Sequence, residues 1–319
     1  MQKLSLFLNT AQSRYSIGRI VIPTIQLHQR FRRYLEGDVI GYPISVFDPV
    51  SARIARHLGA ELGILGGSIA SAAVLAAPDL ILLTLSELAD QVRRITRASD
   101  VSLMVDADHG YGNALNVMRT MEELESAGAS AVTIEDTALP AVFGKAEPEL
   151  VGTEEMVGKL RSAVGARRDP SLVVIAWTGA LQYAALSEAT RRAEAYARTG
   201  VDALMVVGAT ERKQVEAVRA VTDLPLVLGS TSRELNDEEF LLACGVRIVL
   251  RGHQPFFVAM KALHDAMKHI NDGGSPSDLR EQAASRDLQD VILKTSEYSA
   301  MAAGLLDLEG QGNVSGSQW

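Results

Sequence analysis

Eight short apolar segments alternate with longer helical patterns between residue 38 and about residue 270, and this alternation constrains the fold more than any other feature. The segments are 42–47, 62–66, 101–105, 131–134, 172–176, 203–207, 224–228 and 247–250. They are apolar almost throughout, as expected for parallel strands that are covered on both faces. Eight successive βα units predict an α/β fold, the (β/α)₈ barrel. A doubly wound open sheet is the alternative.

The boundaries of the barrel follow from the segments that flank it. We expect an N-terminal extension over 1–37, with a helix that covers the barrel floor. The barrel then spans 38–271, because no earlier interior segment is rich enough in Pro, Gly or Ser to separate domains. The stretch "DGGSPSD" begins a helical extension with a flexible tail over 272–319.

Composition excludes several classes of partner. The chain has 31 Lys and Arg against 39 Asp and Glu, and this net charge of −8 argues against nucleic acid. Cys244 is the single cysteine, which excludes an intrachain disulfide and suits a reducing compartment. No apolar run reaches the roughly 20 residues of a membrane span. Without a compact apolar signal segment at the N-terminus, we expect a cytoplasmic location.

Acidic residues follow two neighbouring strands, at the end of the barrel where active sites lie. Asp106 and Asp108 follow the third strand, and Glu135 and Asp136 follow the fourth. Unpaired carboxylates in one place raise each other's pKa, and a hard divalent cation such as Mg²⁺ removes that repulsion. The alternative is that such residues cap helix N-termini, as we expect of Asp48 and Asn113.

Two glycines follow the second strand, beside these acids. Gly66 and Gly67, with Ser68, allow close backbone approach, so that successive N–H groups can bind an oxyanion. Next to Mg²⁺ this arrangement suits an enolate formed from an α-keto acid. A tight turn without a ligand is the alternative.

Four motifs occur in a characteristic order: "ILGGSIAS" (64–71), "LTLSEL" (83–88), "DADHGYGN" (106–113) and "TIED" (133–136). With these motifs, the chain from about 28 to 270 resembles the phosphoenolpyruvate mutase/isocitrate lyase superfamily, and most of all its oxaloacetate decarboxylase branch. The resemblance implies a (β/α)₈ barrel whose last helix swaps between paired subunits of a tetramer, a dimer of dimers. It also implies a small-molecule carboxylate substrate and a Mg²⁺-bound enolpyruvate-like intermediate.

The resemblance further assigns roles to residues. It implies that Asp106 holds Mg²⁺ directly and that Asp108 and Glu135 hold it through waters, although Mn²⁺ fits nearly as well. The backbone at Gly67 and Ser68, next to Gly66, would bind the keto-acid carboxylate and the enolate oxygen.

The loop after the fourth strand narrows the choice among the branches of the superfamily. Its sequence, "TALPAVFGKAEPELVG" (137–152), has no cysteine, which excludes the cysteine acid of the isocitrate lyases. It also lacks a lysine-rich gating loop, apart from Lys145. Decarboxylation needs no nucleophile. His253 matches a histidine of the decarboxylase branch and is a candidate proton donor or, alternatively, a structural imidazole, and Asp79 is the second catalytic candidate.

The fifth strand departs from the family pattern. Where the family reads "ARTDA" or "ARTNA", this chain reads "AWTGA", so that Trp177 replaces an arginine that binds substrate. The loss is substantial, because a charge-assisted hydrogen bond contributes roughly 1.5–3 kcal/mol. Thr231 stands near the position of a tyrosine of the decarboxylase branch. Arg251, or else Arg233, could supply the missing charge, unless Arg251 points outward or pairs with a local acid.

We therefore predict a Mg²⁺-dependent decarboxylase or carbon–carbon lyase that acts on oxaloacetate or a related 2-oxo or 2-hydroxy acid. In the first alternative, the metal and enolate site is retained for a less anionic substrate, with Trp177 stacked on its apolar part. The second alternative is a catalytically inert binding homologue.

Overall fold

Eight parallel strands, paired in chain order, form one sheet in the computed structural model, which describes residues 23–141, 143–144, 148–230 and 232–306. The strands are β1 Ile44–Ser45, β2 Leu62–Leu65, β3 Ser102–Asp106, β4 Ala131–Glu135, β5 Val173–Thr178, β6 Ala203–Val206, β7 Leu226–Leu228 and β8 Val246–Val249. A parallel bridge between Gly41 and Ile248 links β8 to the segment before β1. The predicted (β/α)₈ barrel is confirmed, and the open sheet is excluded.

Helices follow the strands along the described part of the chain. They are α1 Thr24–Glu36, α2 Pro49–His57, α3 Gly67–Leu75, α4 Leu85–Ala98, α5 Ala114–Ala127, α6 Thr153–Ala166, α7 Ala180–Tyr183, α8 Leu186–Ala197, α9 Arg212–Arg219, α10 Glu238–Ala243, α11 Gln254–Asn271, α12 Arg286–Leu293 and α13 Thr295–Leu305. A short 3₁₀ helix spans Pro276–Leu279. None of the described helices is long and apolar enough to cross a membrane.

Helix capping fixes where several of these helices begin. The side chain of Asp48 accepts a hydrogen bond from the Ser51 amide at 2.7 Å and so caps α2. Asn113 accepts one from the Leu115 amide at 2.9 Å and caps α5. Both caps agree with the sequence prediction, because short polar side chains satisfy the free N–H groups of a first turn. Neither residue is thereby available as a metal ligand.

The core has two parts, one between the sheet and the helices and one inside the barrel. The inner part contains Met104, Ile175 and Met205 from the strands and Phe31 and Leu35 from α1. Helix α1 thus covers the barrel floor, as expected, and leaves the opposite end of the strands open. The described chain divides into two compact units, 23–267 with the whole barrel and 268–306 with the last helices.

Asp136 is fully buried, and its partners lie on β5 and α8. Its carboxylate accepts hydrogen bonds from Thr178 Oγ1 at 2.7 Å and from the Tyr196 hydroxyl at 2.9 Å, and it forms an ion pair with Arg192 at 3.1 Å. Arg192 also donates to the Val151 carbonyl at 2.9 Å. These contacts correct the sequence interpretation of Asp136 as a fourth convergent carboxylate, because its charge is already neutralised.

We predict that Arg192→Leu lowers the free energy of unfolding by about 3–5 kcal/mol, because Asp136 would stay buried without its cation. Arg191→Leu is the matched control on the same helix. Arg191 is exposed and pairs with Glu188 at the surface, so its removal should cost less than about 1 kcal/mol. Urea unfolding followed by circular dichroism measures both, and equal losses would contradict a structural role for the buried pair.

Candidate active site

Asp106, the last residue of β3, is fixed by three hydrogen bonds from three different elements. Its Oδ1 accepts from the Asp108 amide at 3.1 Å and from Thr133 Oγ1 on β4 at 3.2 Å. Its Oδ2 accepts from the Gly67 amide at 3.2 Å, at the first residue of α3. The carboxylate is therefore held between two strands and a helix N-terminus, whose dipole favours negative charge.

Asp108 lies directly against the start of α3. A Cβ added to Gly67 would lie 2.4 Å from Asp108 Oδ1, so a side chain at this position would displace the Asp108 carboxylate. Asp108 itself has a positive φ of 48°, which turns the chain sharply after β3. This turn brings the side chains of Asp106 and Asp108 close to the N-terminus of α3.

Glu135, the last residue of β4, completes this group of acids, which we call the acidic cluster (Asp106, Asp108 and Glu135). Its carboxylate accepts a hydrogen bond from Thr137 Oγ1 at 3.1 Å. In the sheet it is in register with Trp177 on β5, which in turn is in register with Met205 on β6. The rim of the barrel thus changes from acidic to apolar within one strand.

The electrostatics of the acidic cluster are unfavourable without a counter-ion. Burial is the main cause that raises the pKa of Asp106 to about 6, and the negative charge of Asp79 adds to this effect. Burial and the charges of Asp106 and Glu135 raise the pKa of Asp108 to about 9. Burial and the charge of Asp106 raise the pKa of Glu135 to about 8. A cation is the group that such a donor set requires.

Asp79 lies on the exposed segment between α3 and α4 and acts on the cluster through its charge. It raises the pKa of each of the three clustered acids. Partial burial of its own carboxyl raises its pKa as well. Asp79 thus influences the site through its charge, and its catalytic role stays a prediction.

His253 faces the acids from the segment after β8. Its Nδ1 lies 2.7 Å from Ser45 Oγ. A Cβ on Gly66 would lie 2.7 Å from its Nε2, so that the second nitrogen points towards the two glycines. Burial lowers the pKa of the ring below 6.5. Burial therefore disfavours the positively charged form of the ring.

A cavity of about 130 Å³ at the carboxyl ends of the strands is lined by Asp106 and His253, whereas Asp108 and Glu135 are not among its lining residues. Its wall combines Gly66, Asp106, Thr133 and His253 with the apolar residues Ile64, Met104, Trp177, Met205, Val207, Gly229 and Leu250. Trp177, which sequence analysis placed after the fifth strand, lies inside β5 and lines the cavity. None of the described residues that line it is a lysine or arginine.

The remaining candidates lie around this cavity. Ser68 follows Gly67 in the first turn of α3 and is not among the lining residues. Arg251 is exposed, and its guanidinium carbon lies 3.6 Å from the ring centroid of Tyr42. The structure thus does not bring Arg251 to the cavity wall, and its role as the replacement cation stays a prediction. Thr231 lies outside the described residues.

Lys159 is a residue that sequence reasoning missed. It is only 2% exposed, on α6, and burial lowers its pKa while the charges of Glu155 and Glu135 raise it. Burial and the charge of Lys159 lower the pKa of the neighbouring His109 to about 4. A lysine on an amphipathic helix looks like a solvated residue, so no sequence signal distinguishes this one.

The donor set fits a hydrated cation. Among the described residues, no three His, Cys, Asp or Glu side chains come close enough together to ligate one ion directly. Mg²⁺ usually keeps several of its waters and takes only one or two carboxylates. An ion that is bound largely through its own waters is therefore compatible with these acids.

A parallel barrel with an acidic cluster and a cavity at its carboxyl end defines an α/β-barrel enzyme. Comparison with known proteins identifies the enzyme family. The phosphoenolpyruvate phosphomutase family model matches residues 31–271, and the chain belongs to this family. It is thus an enzyme of the phosphoenolpyruvate mutase/isocitrate lyase superfamily of lyases, as the motifs indicated.

Individual relatives and solved structures are consistent with this family. An oxaloacetate decarboxylase of Bradyrhizobium diazoefficiens is 48% identical over 278 residues, which are 87% of this chain and 96% of the relative. The phosphoenolpyruvate phosphomutase of Streptomyces platensis subsp. rosaceus superposes with a TM-score of 0.78 at 28% identity, over 88% of this chain and 99% of the other. A phosphonopyruvate hydrolase in complex with oxalate and Mg²⁺ gives 0.77 at 29% identity, with the same coverage.

The electrostatics of the cluster predict how stability depends on pH in a chelator. The folded state binds more protons than the unfolded state between pH 3.8 and about 9, so the free energy of unfolding falls as pH rises through that window. Asp108→Asn removes one of the opposed charges. Its melting temperature relative to the wild type should therefore rise between pH 4 and pH 8.5, by about 2–4 °C for each kcal/mol of repulsion removed.

The control is Asp90→Asn on the exposed face of α4, where Asp90 forms a surface ion pair with Arg93; because surface pairs contribute little, the melting temperature should change little at either pH. Differential scanning calorimetry with excess chelator gives the values. If Asp108→Asn behaved like Asp90→Asn, the acidic cluster would not carry the unfavourable charge assigned to it.

Proposed function

We propose that this protein is a divalent-metal-dependent decarboxylase, or carbon–carbon lyase, of oxaloacetate or a closely related 2-oxo acid. The observation that carries the proposal is the acidic cluster, whose raised pKa values call for a cation beside a cavity lined by Gly66 and His253. The relatives named oxaloacetate decarboxylase and the neighbour that binds oxalate with Mg²⁺ support it.

Mg²⁺ is the ion that we propose, and Mn²⁺ would fit the same oxygen ligands. Asp106 would hold it directly, and Asp108 and Glu135 would hold it through waters. When bound, the ion would neutralise these carboxylates and polarise the keto group of the substrate, which turns that group into an electron sink.

The residues of the chain have the remaining tasks. The glycines at the start of α3 leave room for the carboxylate and the keto oxygen of the substrate beside the N–H groups of the first turn. The apolar side chains of the wall exclude water. His253 would deliver, through Nε2, the proton that the enolate carbon takes up after carbon dioxide has left.

We also propose that the chain forms a homo-oligomer, as the family resemblance implies. Helix α11 supports this proposal, because none of its 18 residues is buried. Five of its large apolar side chains are at least half exposed, namely Phe257, Val258, Met260, Leu263 and Met267. A second copy of the chain would cover them.

The activity assay follows the loss of oxaloacetate with Mg²⁺ present, after subtraction of the rate that Mg²⁺ alone produces. Asp106→Asn should lower kcat/KM by at least about 100-fold, since a metal ion supplies several kcal/mol of transition-state stabilisation. Asp90→Asn should keep the wild-type rate, because it also removes one carboxylate charge but from the exposed face of α4. Activity that survives a chelator, or survives Asp106→Asn, would contradict the proposal.

A further inference from the structure

One side of the cavity is apolar from β5 to the segment after β8. Trp177 is in register with Met205, and Val207 and Leu250 continue this surface, which we call the apolar wall. The polar lining groups are Asp106 on β3, Thr133 on β4 and His253 after β8, and the apolar Ile64 and Met104 lie beside them. Asp106 is the charged lining group, and we call its part of the cavity the charged end.

The apolar wall offers no positive charge to an anion. No lysine or arginine is among the described residues that line the cavity, and the Arg251 guanidinium stacks on Tyr42 outside it. Burial disfavours the positively charged form of His253. Oxaloacetate carries two carboxylates, and one of them belongs at the charged end with the keto group. Its other carboxylate must then face Trp177 and its neighbours.

An apolar surface next to the departing carboxylate favours decarboxylation. The departing carboxylate is charged in the ground state, whereas carbon dioxide is neutral and apolar. A cation at that position would stabilise the ground state more than the transition state, and such binding does not raise kcat. An apolar surface has the opposite effect, because an unpaired carboxylate is costly to bury and carbon dioxide is not.

We propose that the apolar wall around Trp177 receives the carboxylate that leaves as carbon dioxide, and that Trp177 thereby suits this chain to decarboxylation. The inference rests on the proposed function. In the step, the C3–C4 bond breaks, its electron pair moves towards the keto carbon to form the enolate, and C4 leaves as carbon dioxide. One proton is then taken up at C3, so that the products are pyruvate and carbon dioxide and no oxidant or reductant is required.

The first test uses the unmodified protein with Mg²⁺ and two 2-hydroxy acids of the same carbon length. Malate carries a second carboxylate where 2-hydroxybutyrate carries a methyl group, and neither loses carbon dioxide. The apolar wall predicts that 2-hydroxybutyrate binds at least as tightly as malate in a calorimetric titration. Malate that binds tenfold more tightly or better would overturn the inference, because it would reveal a cation at that position.

The second test introduces the missing cation. Trp177→Arg should tighten malate binding about tenfold or more and leave oxalate binding within twofold, because oxalate occupies only the charged end. The same variant should lower kcat for oxaloacetate at least tenfold. Trp177→Phe keeps an apolar ring and must not tighten malate binding. Leu58→Arg, at a position 72% exposed at the end of α2, is the control for an added surface charge and should change nothing.

The failures are distinguishable. An unmodified protein that releases no carbon dioxide from oxaloacetate would overturn the proposed function and this inference with it. An active protein that prefers malate, or whose kcat rises with Trp177→Arg, would overturn the inference alone. Malate binding that Trp177→Arg leaves unchanged would also overturn it, because the second carboxylate would then lie elsewhere.

Discussion

Mutual repulsion among three carboxylates is the constraint on which the rest of this site depends. Asp106, Asp108 and Glu135 end two adjacent strands, and burial raises the pKa of each, to about 9 for Asp108. The Gly67 amide and the Thr133 hydroxyl both donate hydrogen bonds to Asp106 and thereby offset part of this repulsion. These neutral donors cannot cancel two or three charges, which is why the cluster calls for a divalent ion.

Close backbone approach is the second requirement. Gly66 and Gly67 stand where a Cβ would collide with His253 Nε2 at 2.7 Å and with Asp108 Oδ1 at 2.4 Å. The two glycines therefore let the His253 ring approach on one side and the Asp108 carboxylate on the other. A larger residue at either position would displace the neighbouring side chain.

Sequence alone predicted the parts of this arrangement that local pattern controls. Apolar runs predict the strands, and the alternation of strand and helix predicts which residues reach the same rim of the barrel, among them Asp106, Glu135 and His253. Patterns do not reveal partners from distant elements. Asp136 reads as a fourth convergent carboxylate in the sequence because its partner, Arg192, lies 56 residues away on α8. The position of Arg251 likewise depends on its contact with Tyr42, and the burial of Lys159 depends on how α6 packs. Hydrophobic periodicity determines neither.

The central claim is that a divalent ion turns this acidic cavity into a site for the carboxylate and keto end of a 2-oxo acid. Calorimetric titration of oxalate, which mimics the enolate of pyruvate, tests this claim most directly when it is run with Mg²⁺ and again with chelator. The account predicts binding with Mg²⁺ and none with chelator. Equal binding in both conditions, or no oxalate binding by a protein that has bound Mg²⁺, would contradict it.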